Sequence, residues 1–206
     1  MQLTRPQPRI LQGKHIVLEP LTEQHLAALW PALGVPEVFA GGYGGGPAGL
    51  PADEASFVDW MRGDYLGHTD RFPYAVRLTG GPRDSRLVGA SILGDLDEAN
   101  ANLQLGWTAY DPNVWGTVVN PEAKLLLLGF AFESGYNRVA IQTDAINDRS
   151  RAAILKLGAT FEGIQRKHRI RADGSWRDTA VYSVLDTEWP AVQAGLVARL
   201  GREPRS

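Results

Sequence analysis

The stretch Val114–Pro121, Val-Trp-Gly-Thr-Val-Val-Asn-Pro, gathers residue types that together can hold an anion. Gly116 lets backbone approach a ligand closely. Asn120 is a favoured N-cap, Pro121 suits the first helical position, and Glu122 adds a carboxylate to the first turn. A turn running into a helix offers unsatisfied N–H groups at the positive end of the helix dipole, and both favour phosphate. A capped core helix shows the same pattern, and a single glycine is fewer than phosphate cradles usually carry, so the stretch alone leaves both readings open. Further along, Asn147 and Ser150 stand at the head of a short helical stretch. An amide can donate and accept there and a hydroxyl can supply a proton, while each also suits a helix cap. Arg166, Lys167, His168, Arg169 and Arg171 form a basic run on a strand. Alternation sends Arg166 and His168 to one face and Lys167, Arg169 and Arg171 to the other. A solvated hairpin face is the plain account; the sharper one has Arg166 or His168 facing a cleft.

The elements that must position these residues follow from composition and pattern. The 206 residues suit one large domain, read here as 1–206 with a core over about 15–189 and a polar tail. With 44% apolar and 21% charged residues the composition is that of an ordinary globular chain. A net charge of −2 gives no electrostatic reason to bind nucleic acid. The absence of cysteine excludes disulfides, thiolate metal sites and cysteine nucleophiles. No apolar run approaches the ~18–20 residues of a membrane span, and Met1–Arg9 lacks a signal-peptide core, so the cytoplasm is the expected location.

His15–Pro20 reads as a first strand, followed by a helix that Thr22 can cap, with Leu26, Leu29 and Trp30 on one face. Ala40–Leu50 is glycine-rich, and Asp53–Leu66 reads as a second helix. Strands Phe72–Leu78 and Arg86–Leu93 flank a Gly80-Gly81-Pro82 turn, and Leu103–Tyr110 is the next strand. A helix apolar nearly all round, Leu125–Phe132 at its centre and closed by Gly135, suits burial against a sheet. Then come a strand Arg138–Asp144, a short helix Ser150–Leu157 ended by Gly158, and strands Glu162–Arg171 and Trp176–Leu185 around Asp173-Gly174. Asp186 or Thr187 opens a last helix to roughly Leu200. The order β-α-α-β-β-β-α-β-α-β-β-α implies an α/β (α+β) fold: a mixed, largely antiparallel seven-stranded sheet covered by helices.

In that order, four pieces resemble the GNAT N-acetyltransferase superfamily, in its ribosomal-protein-type RimJ/RimL-like branch, from about His15 to Trp189. Leu105-Gly106-Trp107 resembles the end of the family's fourth strand. Trp115–Ala123 sits where the family has its pyrophosphate loop and following helix. Asp144–Ser150, then Leu155-Lys-Leu-Gly158-Ala159, resembles its Asn-x-x-Ser helix. Glu162-Gly163-Ile-Gln-Arg166 looks like its Glu-Gly-x-x-Arg strand. The loop departs from the family's Gly-x-Gly: Trp115 precedes Gly116, and Val118, which resists positive φ, fills the second glycine position.

The resemblance implies acetyl-CoA as cofactor and direct acetyl transfer to a primary amine, with a homodimer compatible and neither metal nor membrane involved. It places the cofactor on Trp115, Gly116, Thr117, Val118, Val119 and Asn120, with Asn147, Arg149 and Ser150 on the facing helix. The backbone N–H of Thr108 or Ala109 would hold the oxyanion, and Ser150 would protonate the leaving thiolate. Where the family often carries a carboxylate this chain has Gln104, which orients water but takes no proton. Arg169 stands at a second base position, so the acceptor's proton is expected to leave through ordered water, with Glu98 and His168 as speculative bases. Ala40–Leu50 reads either as a flexible lid forming the acceptor wall, with Phe39 and Tyr43 as contacts, or as a disordered loop, with Trp30, Trp60 and Trp107 belonging to the core. Asp95, Asp97 and Glu98 could make an acidic groove for a cationic partner. The acceptor is read as a peptide or protein N-terminus, the alternatives being an antibiotic or polyamine amine, or a non-catalytic acyl-CoA-binding module.

Overall fold

The computed structural model describes residues 3–79 and 85–201. A two-residue strand, β1 (Leu11–Gln12), leads into β2 (Ile16–Pro20). Helices α1 (Glu23–Leu33), α2 (Pro36–Phe39) and α3 (Glu54–Met61) follow, with 3₁₀ turns at Tyr43–Gly45 and Pro47–Gly49 between the last two. Strands β3 (Phe72–Leu78), β4 (Leu87–Asp97) and β5 (Asn102–Tyr110) form a meander. Then come α4 (Val119–Glu133), β6 (Arg138–Asp144), α5 (Asp148–Leu157), β7 (Thr160–Ile170), β8 (Trp176–Leu185) and α6 (Trp189–Leu200). The described sheet has eight strands rather than seven, because β1 is too short to carry a periodic signal. The Gly80-Gly81-Pro82 turn and the tail after residue 201 lie outside the described residues.

Sheet order is β1-β2-β3-β4-β5-β6-β8-β7, and every neighbouring pair is antiparallel except β5 with β6. That parallel pair is joined by the α4 crossover. It is also brief: only Asn102, Leu103 and Gln104 find partners, in Arg138, Val139 and Ala140. The divergence coincides with a bulge in β5. Ala109 faces Ala90 and Gly106 faces Ile92, so Trp107 and Thr108 together oppose Ser91, and Trp107 takes a φ of 48°. A bulge bends its strand, and here β5 leaves β6 to open a cleft.

Two buried clusters sandwich the sheet. Leu127, Leu128 and Ala131 of α4 and Leu196 of α6 pack with Leu103, Leu105, Val139 and Ile141. Leu26, Leu29 and Leu33 of α1 and Phe57 and Met61 of α3 pack with Ala75, Ala90 and Ile92. Each fully buried leucine stabilises the fold by about 1.5–3 kcal/mol.

Helix α2 has no counterpart in the sequence expectation, and α6 starts at Trp189 after Glu188 rather than being opened by Asp186 or Thr187. Three further boundary shifts matter at the cleft. Helix α4 starts at Val119, because Gly116 (φ 77°) completes the turn early and Val118 is already right-handed (φ −71°, ψ −14°). Asn120 therefore lies within the first turn and caps nothing. Glu122 is buried and accepts from Lys14 N (2.6 Å) and His15 N (2.9 Å), tying α4 to the β1–β2 loop. Helix α5 starts at Asp148, with Asn147 as its cap through Oδ1 to Ser150 N (3.0 Å); Ser150 is its third residue. Helix α3 ends at Met61 and passes into a π-type turn, Arg62–Leu66, instead of continuing as α-helix. Among the described residues no helix is long and apolar enough to cross a membrane, and no cluster of His, Cys, Asp or Glu could hold a metal ion.

Candidate active site

The parting of β5 from β6 opens a cavity of about 520 Å³, lined by Gln104–Tyr110 on one side and Ile141–Asp144 on the other. Past Gln104, β5 pairs only with β4, so its other edge presents unpaired backbone groups to the cavity.

The start of α4 closes one end. Trp115 N and Thr117 N donate to Pro112 O (3.1 Å) and Val114 O (3.3 Å), and Val119 N donates to Thr117 Oγ1 (3.4 Å). The N–H groups of Gly116, Val118 and Asn120 find no acceptor among the described residues. A Cβ on Gly116 would meet nothing within 4 Å, so the approach to this backbone is open. Trp115 is pinned by Nε1 to Tyr110 O (2.9 Å), and the Arg149 guanidinium lies 3.3 Å from its ring centroid. Trp115, Gly116, Asn120 and Arg149 line the cavity, whereas Thr117, Val118 and Val119 do not.

Ser150 also lines the cavity, its hydroxyl free of partners among the described residues. Besides capping α5, Asn147 donates through Nδ2 to Gly41 O (2.6 Å), which leaves one donor and one acceptor position of its amide for a ligand. Gln104 is buried at the fork of the two strands. At the bulge, Thr108 Oγ1 lies 2.7 Å from Ser91 Oγ and accepts from Lys124 Nζ at 3.0 Å. Lys124 is buried with no carboxylate partner among the described residues, and desolvation pulls its pKa down to about 7. It was absent from the sequence reading, although it is the one charged residue within the apolar run Ala123–Phe132.

The opposite wall is the glycine-rich segment. It is anchored rather than slack: Asn147 holds Gly41, Ala172 N donates to Gly45 O (3.0 Å), and Tyr43 Oη meets Tyr65 Oη at 2.6 Å. Tyr65 in turn donates to Trp107 O at 2.6 Å, tying the wall to the bulge. Gly42, at φ 92°, lets the chain pass where a Cβ would meet the Asp144 side chain at 3.0 Å. Tyr43 lines the cavity, but Phe39 is fully buried beneath it. Trp60 and Trp107 line the cavity as well, against their expected place in the core, while Trp30 stays in the core against Phe57 (5.4 Å). Asp64, in the π-type turn, adds a carboxylate that lies 3.9 Å from Arg71.

The basic run carries a second bulge, which inserts two residues and so keeps the alternation of its faces. Arg166, Lys167 and His168 fall between the pairs Gln165↔Thr179 and Arg169↔Arg177, with Lys167 at φ 49°. Arg169, Arg171 and Arg177 line the cavity, whereas Arg166 and His168 do not. His168 Nδ1 instead meets Thr179 Oγ1 at 3.0 Å, away from the cavity lining. Glu98 sits at the far end of the β4–β5 hairpin paired with Arg5 (3.3 Å), and neither Asp95 nor Asp97 reaches the cavity, so no acidic groove forms there.

A family model described as the acetyltransferase (GNAT) domain matches residues 15–160, the greater part of the chain. The chain belongs to the GNAT acetyltransferase family. As a GNAT enzyme it uses acetyl-CoA and transfers acetyl to an amine. A GCN5-related N-acetyltransferase from Brucella melitensis is 30% identical at a TM-score of 0.86, covering 98% of this chain and 90% of its own. A structure from T. thermophilus assigned as an acetyltransferase is 36% identical at 0.83, covering 96% and 100%. RimJ of Mycobacterium smegmatis, solved with CoA-disulfide, is 20% identical at 0.71, covering 92% and 91%, and shares the GNAT fold. No protein of curated function matches the sequence. The cleft lies where β5 parts from β6, beside the bulge of β5.

Proposed function

We propose that this GNAT enzyme acetylates an α-amino group, the N-terminus of a peptide or protein as in the RimJ/RimL-like branch, with a cytoplasmic site of action. The observation that carries the reading is Lys124, a buried amine near neutrality inside the same cavity as the anion-accepting start of α4. Acetyl-CoA supplies the activated acetyl thioester. The donor set fits it: the free N–H groups of Gly116, Val118 and Asn120 suit a pyrophosphate, and the unpaired edge of β5 suits an amide-bearing arm. Trp115, Thr117 and Val119 shape that turn, Arg149 adds a cation, and the spare amide positions of Asn147 face the same space. The bulge offers the N–H of Thr108 for an oxyanion, Ala109 being paired with Ala90 of β4, Ser150 holds a free hydroxyl proton, and Gln104 can orient water. Lys124 takes the acceptor's proton, directly or through Thr108 and water. An α-amine titrates about one unit above Lys124 and a lysine side chain more than three, a difference of roughly 3 kcal/mol in proton-transfer cost. Calorimetry with millimolar CoA tests the cofactor part: Gly116→Val should weaken binding at least tenfold, and a wild-type protein that binds no CoA would overturn the whole reading.

A further inference from the structure

The Arg169↔Arg177 pair sits in a register that electrostatics alone disfavours. The two residues are direct cross-strand neighbours on β7 and β8, and like charges placed opposite one another are destabilising. Neither makes a hydrogen bond to a described residue, and Arg177 Nε is buried without a partner. Asp144, the nearest candidate counter-charge, is already spent. Arg171 grips it with Nε to Oδ2 at 2.8 Å and Nη2 to Oδ1 at 2.9 Å, a bidentate pair that leaves little for a third arginine. Both unpartnered guanidinium groups line the cavity, and the hairpin that carries them meets the glycine-rich wall through Ala172 N to Gly45 O (3.0 Å) and Arg171, 3.9 Å from the Cβ position of Gly46. The start of α4, with its own free donors, is a separate stretch of the lining.

The geometry points to an anion subsite at Arg169 and Arg177 that holds a carboxylate or phosphate of the acceptor while its amine faces the bulge of β5. The acceptor is therefore an amine bearing a compact anion, an N-terminal residue with an acidic side chain or an amino-acid-like small molecule, and not a polyamine. Naming it the acceptor's anion rests on the acetyltransfer reading; the subsite itself does not. The rings of Tyr43 and Trp60 in the same cavity suit the ammonium end of such a zwitterion, whereas Arg71 already stacks on Trp107 at 4.4 Å and lies 3.9 Å from Asp64. A guanidinium fork matches both carboxylate and phosphate oxygens, so these two sources must be told apart by experiment.

Calorimetry on protein saturated with CoA, so that the α4 donors are filled, titrates glutarate and inorganic phosphate separately. Wild type should bind at least one of them, and Arg169→Gln or Arg177→Gln should weaken that binding tenfold or more. Arg177→Lys should recover part of it. Glutarate binding alone assigns a carboxylate acceptor, phosphate binding alone a phosphorylated one. The melting temperature of Arg169→Gln, whose side chain is exposed, should hold or rise because a like-charge contact is relieved, whereas a structural role would lower it. Absence of both anions in wild type, or affinities unchanged in both glutamine variants, would overturn the subsite. If CoA fails to bind, the acetyltransfer reading falls, and the same titration without CoA still reads the arginine pair by comparing wild type with the variants.

Discussion

Lys124 concentrates the chemistry of this cleft in one side chain. Its ammonium form loses water on burial and gains only Thr108 Oγ1, which is why the amine is held near pH 7. Linkage gives the sign of its effect on stability. Between about pH 7 and 10.4 the unfolded chain carries a proton on this lysine that the native chain does not, so stability rises with pH across that window. Lys124→Met, similar in length and without charge, should therefore raise the melting temperature at pH 7. It should also remove the gain of a few kcal/mol, on the order of 2–4, between pH 7 and 10. If Lys124 is the proton acceptor, the same variant should slow acetylation at least a hundredfold while keeping CoA affinity within a few-fold. A stabilised variant with unchanged turnover would leave Lys124 as a buried charge with no part in the reaction.

At the scale of elements, α5 and the glycine-rich wall are coupled through one amide. Asn147 caps α5 with Oδ1 and holds Gly41 with Nδ2, so one side chain sets both the helix start and the wall facing it. Asn147→Ala should cost about 1 kcal/mol for the cap and loosen Gly41–Gly45, read as faster amide exchange in that segment. Ser150→Ala should behave differently, because its hydroxyl makes no contact to lose while its N–H stays bonded. The expected result is an unchanged melting temperature and a lower single-turnover rate on saturating acceptor. A fall in stability with an unchanged rate would mean the hydroxyl is structural. The bulge of β5 is the other decisive element, since it parts the strands and gathers Trp107, Thr108 and Lys124.

For the whole molecule, net charge and local charge diverge. The chain totals −2, yet its cavity gathers Arg149, Arg169, Arg171, Arg177 and Arg199 against Asp64 and Asp144. A cleft that focuses positive potential favours anionic ligands whatever the overall sign. With acetyl-CoA and a mixed peptide panel, mass spectrometry should show acetyl groups on N-termini in preference to lysine side chains. The rate on an N-terminus should climb from pH 6 to about 8 as Lys124 and then an α-amine near pKa ~8 lose their protons. A lysine acceptor, near pKa ~10.4, would still be gaining at pH 9. Predominant lysine acetylation would overturn the α-amine assignment.

The sequence by itself determined the element order, the cysteine-free chemistry and the family, because hydrophobic period, turn residues and short motifs are local properties. Strands Phe72–Leu78 and Arg138–Asp144 have the bounds their patterns give, and Leu105-Gly106-Trp107 and Trp115–Ala123 carried the resemblance. Helix starts slipped by one or two residues where a turn such as Gly116 acts before the favoured cap. Only the tertiary structure decided which side chains meet. The basic run keeps the partition that alternation gives, Arg169 and Arg171 apart from Arg166 and His168, because the bulge at Arg166–His168 inserts two residues opposite Asp178 and preserves parity. That the face of Arg169 and Arg171 is the one turned to the cleft is decided only by the tertiary structure. The charge state of Lys124 belongs to the same class. Burial against β4 and β5 sets it, through contacts with residues 16 or more positions away in the chain.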